Sequence, residues 1–394
     1  MHRPTLAELL RAHGEHYRGE HRLSVAQAKA WRAIVDCRTE ALGGTFERCD
    51  ACGQTRHLWR SCRNRHCPQC QSRAKEAWRA ARLTELLPVP YAHWVFTLPH
   101  ALNSLATWHA RWVYDQLFAC AAATLSDLAA NPRWLGATPA FSLVLHTWTQ
   151  DLRTHIHVHA LVTCGGVDAD GNWKAAARGP GFLFPVRAAS RIFRAKFLAA
   201  LECGRSRGDL PNDPERAANH WQRRRRALLA HEWVVYAKTP AAGPAQVLDY
   251  LARYTHRTAI SNERILGCDA GVVRLRVRGN ERGGKRAVRL PVKQFIGRFL
   301  AHVLPSGFKR IRHYGLLAPS HKRGQLAAAR RALDTPNPDP VANEQARDFL
   351  QRVTGRDPSR CPHCGHGHWV VVCLVGRKRE RDDPPQPRCR HGPL

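Results

Sequence analysis

Apolar residues recur at three- and four-residue steps over residues 5–36, where Leu6, Leu9 and Leu10 are followed by Val25, Ala28, Trp31, Ile34 and Val35. That period is helical, so the chain opens on a helical lead-in. The pattern lapses over 37–73, a stretch rich in Cys and Arg and too poor in apolar side chains to build a conventional core. Helical spacing returns over 74–87. His93-Trp94-Val95-Phe96-Thr97-Leu98-Pro99 then reads as a buried strand stopped by a proline, with a helix predicted over 102–129. Residues 140–150 and 155–164 predict two strands of an antiparallel hairpin joined by Asp151-Leu152-Arg153-Thr154. Further on, helices are predicted over 188–203 and 215–230, a strand over 232–237, and a helix from Gly243-Pro244 to about 255. Hairpin strands over 272–278 and 285–290 and helices over 292–304 and 321–333 complete the pattern, which is that of an α+β protein. Pro336, Pro338 and Pro340 mark a boundary, and the tail from residue 377 has the composition of a disordered segment.

Composition narrows the partner. The chain has 394 residues, with 62 Lys and Arg against 31 Asp and Glu, a net charge of +31 that favours a polyanion through counterion release. Nucleic acid is the expected partner. The basic residues are spread along the chain rather than gathered on one amphipathic helix, which argues against a membrane surface. No apolar run predicts a transmembrane segment, and the N-terminus lacks the order of a signal peptide, so a cytoplasmic, nucleoid-associated protein is expected.

In such a compartment the 14 cysteines are metal ligands rather than disulfides where they cluster. Cys49-x-x-Cys52 and Cys67-x-x-Cys70 predict two zinc knuckles whose spacing suits four thiolates around Zn2+, while His57, Cys62 and His66 between the pairs and Cys37 before them leave ligand swapping or a second ion open. Arg60, Arg63 and Arg65 stand between these ligands, where a folded knuckle can hold them against phosphate. Cys361 and Cys364, followed by His366 and His368, form a candidate second zinc site.

The run Thr154-His155-Ile156-His157-Val158-His159 calls for a different metal. In a strand its period of two puts the imidazoles on one face and Ile156 and Val158 on the other. His157 and His159 supply two nitrogens, and Gln150, at the end of the preceding strand where it can face the pair, competes with His146 and His155 for the place of a third ligand. An open site of this kind suits Mg2+ or Mn2+ acting on a phosphodiester. On the helix that follows Gly243-Pro244, Tyr250 and Tyr254 lie one turn apart, between an apolar side and the flank carrying Arg253 and Arg257. A phenolate there can attack phosphorus while the arginines neutralise developing charge.

These segments together carry a resemblance. Leu145-His146-Thr147-Trp148-Thr149-Gln150, the histidine strand, Tyr250-Leu-Ala-Arg-Tyr254-Thr-His-Arg257, Cys62-Arg-Asn-Arg-His-Cys67-Pro-Gln-Cys70, Phe96-Thr-Leu-Pro99 and Ile311-Arg-His-Tyr-Gly-Leu-Leu317 resemble the HUH transposases of the insertion sequence 91 family, in the same order. The resemblance covers residues 37–317. It implies an HUH endonuclease domain, a central antiparallel sheet flanked by helices, and rolling-circle-like transposition through single-stranded DNA. It also implies His157, His159 and Gln150 as ligands of the catalytic metal, and Tyr250 and Tyr254 as nucleophiles acting in turn on the element's ends. Thr45 stands where many relatives carry histidine, and 240–244 reads Pro-Ala-Ala-Gly-Pro in place of Pro-Phe-Gly-Gly-Pro.

The resulting organisation has a helical, zinc-binding, DNA-binding module over 1–85 and the HUH catalytic domain over 86–300. A C-terminal helical region with the second zinc site follows over 301–376, and a tail over 377–394. Two other readings compete: a replication initiator or relaxase with the same chemistry, and a non-catalytic zinc DNA-binding protein in which the tyrosines have no catalytic role.

Overall fold

The computed structural model describes residues 3–179, 182–211, 218–238, 259–279, 284–339 and 344–378. The helical lead-in is two helices, α1 (Leu6–Glu20) and α2 (Val25–Val35), each started by a capping box: Thr5 with Glu8, and Ser24 with Gln27. Hairpin strands β1 (Gly44–Cys49) and β2 (Thr55–Trp59) follow, then α3 (Gln71–Leu83), β3 (Tyr91–Thr97), α4 (Asn103–Trp108) and α5 (Ala110–Ala130). The predicted hairpin is β4 (Thr138–Trp148) and β5 (Thr154–Val167), longer than its apolar pattern suggested. Next come β6 (Trp173–Ala175), α6 (Val186–Arg207), α7 (Ala218–Ala230) and β7 (Val235–Lys238). After the undescribed stretch 239–258 stand β8 (Ile265–Asp269), β9 (Val272–Arg278), β10 (Lys285–Pro291) and α8 (Val292–Leu300). The last elements are β11 (Ile311–Gly315), α9 (Lys322–Ala332), α10 (Ala346–Thr354) and β12 (Trp369–Val375).

The central sheet has the order β11-β4-β5-β3-β7, with β6 added to β5, and its pairings are antiparallel. Strict alternation divides it into two unlike faces. Trp94, Phe96, Phe141, Leu143, Leu145, Ile156 and Val158 point to one side and pack, fully buried, against Leu117, Phe118 and Leu125 of α5 and Phe193 and Phe197 of α6. The alternate positions, His93, Thr97, Ser142, His146, His157 and His159, point to the other side and are also buried. A sheet with an apolar face and a buried polar face is a scaffold carrying a site on its back.

A second core joins residues 259–300 to the start of the chain. Leu6, Leu10 and Ile34 of α1 and α2 pack with Val273 and Leu275 of the β10-β9-β8 sheet and with Phe295 and Phe299 of α8. The Asn262 side chain accepts from the Leu6 N–H at 3.1 Å, and Gln27 donates to the Leu300 carbonyl at 3.1 Å. Two pairings reach across the sequence. β11, which follows residue 300, completes the central sheet beside β4, and β12 joins β1 and β2 in a separate sheet of order β12-β1-β2. β11 is short and carries little local signal; β12 is an unbroken apolar run, but its pairing with β1 has no local signal, and in the fold Val370, Val371, Val372 and Leu374 are more than half exposed.

Candidate functional site

The cross-strand register creates the histidine site. His146 of β4 stands directly opposite His157 of β5, and Val144 opposite His159, so His146 shares a face with the pair. The ring nitrogens of His146, His157 and His159 lie within 4.8 Å of one another. His157 Nδ1 sits 2.9 Å from the His155 carbonyl oxygen, which can only accept, so Nδ1 carries the proton and Nε2 a lone pair. His159 Nδ1 is held at 2.9 Å by His93 Nε2, whose ring stacks on that of His159. The His93–His159 contact is compatible with either tautomer of His159: in one its Nε2 donates to His157 Nε2 at 3.2 Å, and in the other, the ligating form, it faces His157 Nε2 with a lone pair. Two lone pairs face to face are unfavourable unless a cation lies between them. Their separation matches the roughly 3.0–3.3 Å edge of an ion bound by nitrogen at about 2.1 Å. The donor set therefore fits a divalent metal.

The electrostatics favour neutral, ligating imidazoles. Burial pushes His157 down to about 4, and burial followed by the neighbouring His157 and His93 holds His159 well below the ordinary histidine value. His93 is lowered to about 4 by burial and then by Lys238. Each is thus uncharged near neutrality, as metal ligation and its supporting hydrogen bonds require.

Gln150 does not join this group. It lies on the exposed end of the β4–β5 connection, and its amide oxygen accepts from the Arg278 backbone N–H at 2.6 Å. The strand register puts His146, one of the competing candidates, opposite His157, so that a third nitrogen stands beside the pair. Among the described residues, His155 stays outside the trio and pairs with His100 at 3.2 Å. Sequence reasoning also missed Arg310. Its buried guanidinium lies 5.1 Å from the Trp148 ring and donates to the Leu145 carbonyl at 3.1 Å. Burial and then Arg65 lower it to about 9. Tyr250, Tyr254, Arg253 and Arg257 lie outside the described residues.

The cysteines divide differently from the expected set. Cys37, Cys62, Cys67 and Cys70 form one cluster, and Cys49, Cys52, Cys361 and Cys364 another. The reason is the β1–β2 hairpin. Its tip carries Cys49 and Cys52 away, while its open end brings residue 60 back beside residue 38, where Arg38 N–H bonds the Arg60 carbonyl at 3.1 Å, so that Cys62 returns toward Cys37. In the first cluster Cys37 and Cys62 approach the Cys70 sulfur at 3.5 and 3.6 Å. These spacings are close to the edge of about 3.8 Å for four thiolates around one zinc. Among the described residues His66 belongs to neither cluster; it is buried, and burial with Arg65 and Arg310 nearby lowers it to about 3. His366 and His368 are exposed and also lie outside the cluster.

Beside the first cluster runs a groove of about 990 Å³ lined by Lys29, Arg32, Arg60, Arg63 and Arg377, with Asp36 in the same wall. Arg65 instead turns its guanidinium to the Phe308 carbonyl at 2.6 Å. Among the described residues no helix is long and apolar enough to cross a membrane.

Comparisons with known proteins agree with this layout. A family model described as a transposase zinc-binding domain matches residues 9–98, which contain the first cysteine cluster. A second, described as "Putative transposase", matches residues 140–325, which contain the histidine trio. The chain is 44% identical over 378 residues to "Putative transposase y4qJ" of Sinorhizobium fredii, covering 94% of this chain and 95% of that one. It is 27% identical over 350 residues to the transposase for insertion sequence element IS801 of Pseudomonas savastanoi pv. phaseolicola, covering 87% and 83%. Among solved structures, a metal-bound conjugative relaxase TrwC in complex with oriT DNA is similar over 65% of this chain and 96% of that one, at 12% identity and a TM-score of 0.26. A zinc-binding module joined to a transposase domain, with near full-length similarity to named transposases, places this chain in the IS91 family of transposases.

Proposed function

We propose that this transposase cleaves and rejoins single-stranded DNA through 5′-phosphotyrosine intermediates, moving its element by a rolling-circle-like route. The observation that carries the reading is the buried trio His146, His157 and His159, whose imidazoles converge on the polar face of the central sheet. A divalent ion held there, Mg2+ or Mn2+, would act as a Lewis acid on the scissile phosphate. Tyr250 and Tyr254 are the nucleophiles, acting in turn on the element's ends. The phenolate oxygen forms a bond to phosphorus, the bond from phosphorus to the 3′-oxygen breaks, and the leaving 3′-hydroxyl takes up a proton. Reversal, with a free 3′-hydroxyl attacking the phosphotyrosine, reseals the strand.

The chain's own residues prepare this chemistry. The His155 carbonyl and His93 orient the ligating rings, and the Arg310 guanidinium beside His159 adds positive charge where phosphate negative charge accumulates. The groove carrying Arg32, Arg60 and Arg63 suits the path of a phosphate backbone.

The test incubates the protein and Mg2+ or Mn2+ with single-stranded oligonucleotides from the flanks of its own gene, then resolves covalent adducts on denaturing gels. The expected result is an adduct that disappears in the Tyr250→Phe, Tyr254→Phe double variant. Absence of adduct on every end sequence, or an adduct that survives loss of both tyrosines, contradicts the reading.

A further inference from the structure

Cys49-Asp50-Ala51-Cys52-Gly53 closes the β1–β2 hairpin, and Cys361-Pro362-His363-Cys364-Gly365 repeats its form before β12. Both runs end on a glycine in the left-handed region, with φ of 72° at Gly53 and 76° at Gly365. Both turns are closed by the same backbone bond, Gly53 N–H to the Cys49 carbonyl at 3.2 Å and Gly365 N–H to the Cys361 carbonyl at 2.9 Å. The turns face each other. Cys49 and Cys364 sulfurs are 3.7 Å apart, and Cys52 and Cys361 sulfurs 3.8 Å. A disulfide needs about 2.05 Å, whereas four thiolates at about 2.3 Å from one tetrahedral ion stand about 3.8 Å apart. Gly367 adds a donor, its N–H reaching the Cys364 sulfur at 3.3 Å, and is itself wedged in place, since a Cβ there would lie 2.5 Å from the Cys49 sulfur.

Little else holds this end of the chain. β12 pairs with β1, but Val370, Val371, Val372 and Leu374 are 51–73% exposed, so burial supplies little adhesion. The other links are polar or local: the Asp50 side chain accepts from the His368 N–H at 2.8 Å, and Arg56 lies 4.1 Å over the Trp369 ring. Cys49 and Cys364 are thus brought together from positions 315 residues apart in the sequence. Cys361 and Cys364 also lie beyond both matched family regions, which end at residues 98 and 325.

We infer that Cys49, Cys52, Cys361 and Cys364 hold a second zinc ion, separate from the one fitted by Cys37, Cys62, Cys67 and Cys70, that staples the C-terminal segment to the N-terminal module. With four thiolates and no open position the site is structural. Residues 344–378 are therefore part of the zinc-binding module rather than an appendage.

The test measures zinc per full-length chain by mass spectrometry. A Cys361→Ser, Cys364→Ser variant loses one equivalent relative to the parent, while a His366→Ala, His368→Ala variant loses none. A cysteine variant that keeps its zinc, or a histidine variant that loses it, overturns the assignment. Hydrogen exchange on the cysteine variant reads the staple: protection is lost over 369–375 and kept in β3, β4 and β5. Unchanged protection of β12 after the zinc is gone overturns the stapling role. Because the variant can misfold, the metal-free parent is also titrated with Co2+. Thiolate charge-transfer absorbance rising to two equivalents supports two thiolate sites, and saturation at one refutes the second.

Discussion

His302 offers a stability test worked directly from the structure. It lies at the end of α8, 1% exposed, with Nδ1 3.1 Å from the Thr147 hydroxyl and Nε2 3.0 Å from the Leu152 carbonyl. Burial lowers it from 6.5 to about 4, the Leu152 carbonyl offsetting a part. Because the folded value lies below the unfolded one, the unfolded chain takes up the proton first, and stability falls as pH drops through 6.5 toward 4. Between pH 7.5 and 5 this single group costs about 2 kcal/mol, from the difference in protonation free energy of the two states. Other buried histidines add to the acid sensitivity, so the informative quantity is a difference. His302→Gln retains a donor and an acceptor but cannot titrate. Urea unfolding followed by tryptophan fluorescence at the two pH values is expected to show the parent losing about 2 kcal/mol more than the variant. Equal losses in the two proteins would refute the burial argument at this site.

Other perturbations address the core, the strand addition and the DNA groove. Phe193 is fully buried, its ring 5.2 Å from Phe96 and 5.4 Å from Trp233, so Phe193→Ala is expected to cost about 3–5 kcal/mol in the same unfolding assay. Gly315 has a φ of 57°, and a Cβ there would lie against the Pro139 carbonyl oxygen of the strand to which β11 pairs. Gly307 has a φ of 71° with open space around it, so Gly307→Ala should cost only the left-handed penalty of about 1–2 kcal/mol, and Gly315→Ala clearly more in parallel thermal melts. In the basic groove, Arg60→Ala with Arg63→Ala should weaken single-stranded DNA binding and lower the magnitude of its log–log salt slope by about 1.4, measured by fluorescence anisotropy.

The histidine strand and its apolar back were legible because a period of two survives any tertiary context: Ile156 and Val158 face α5 and α6, and His157 and His159 face away. Cross-strand facts were not legible. Which of His146 and Gln150 stands beside the pair depends on a register set by pairing across β4 and β5, and by the irregularity between His146 and Trp148. The cysteines follow the same logic. Their spacing announced metal ligation, but the β1–β2 hairpin separates neighbouring pairs in space and unites Cys49 with Cys364. β12 is an apolar, β-branched run that reads as a strand, but its place beside β1 depends on a pairing between residues more than 300 positions apart, which no local pattern shows.

The family joins a zinc-bearing module to the sheet that carries the histidines, and the second core gives that union a physical basis, since α1 and α2 pack on the segment just after the tyrosines. The central claim is that the trio, and not Gln150, holds the catalytic metal. Mn2+ binding by isothermal titration calorimetry on His146→Ala and Gln150→Ala tests it most directly. His146→Ala is expected to lose at least about tenfold in affinity, the scale of losing about 1.4 kcal/mol, with Gln150→Ala binding as the parent does. Loss confined to Gln150→Ala, with His146→Ala unaffected, would contradict it.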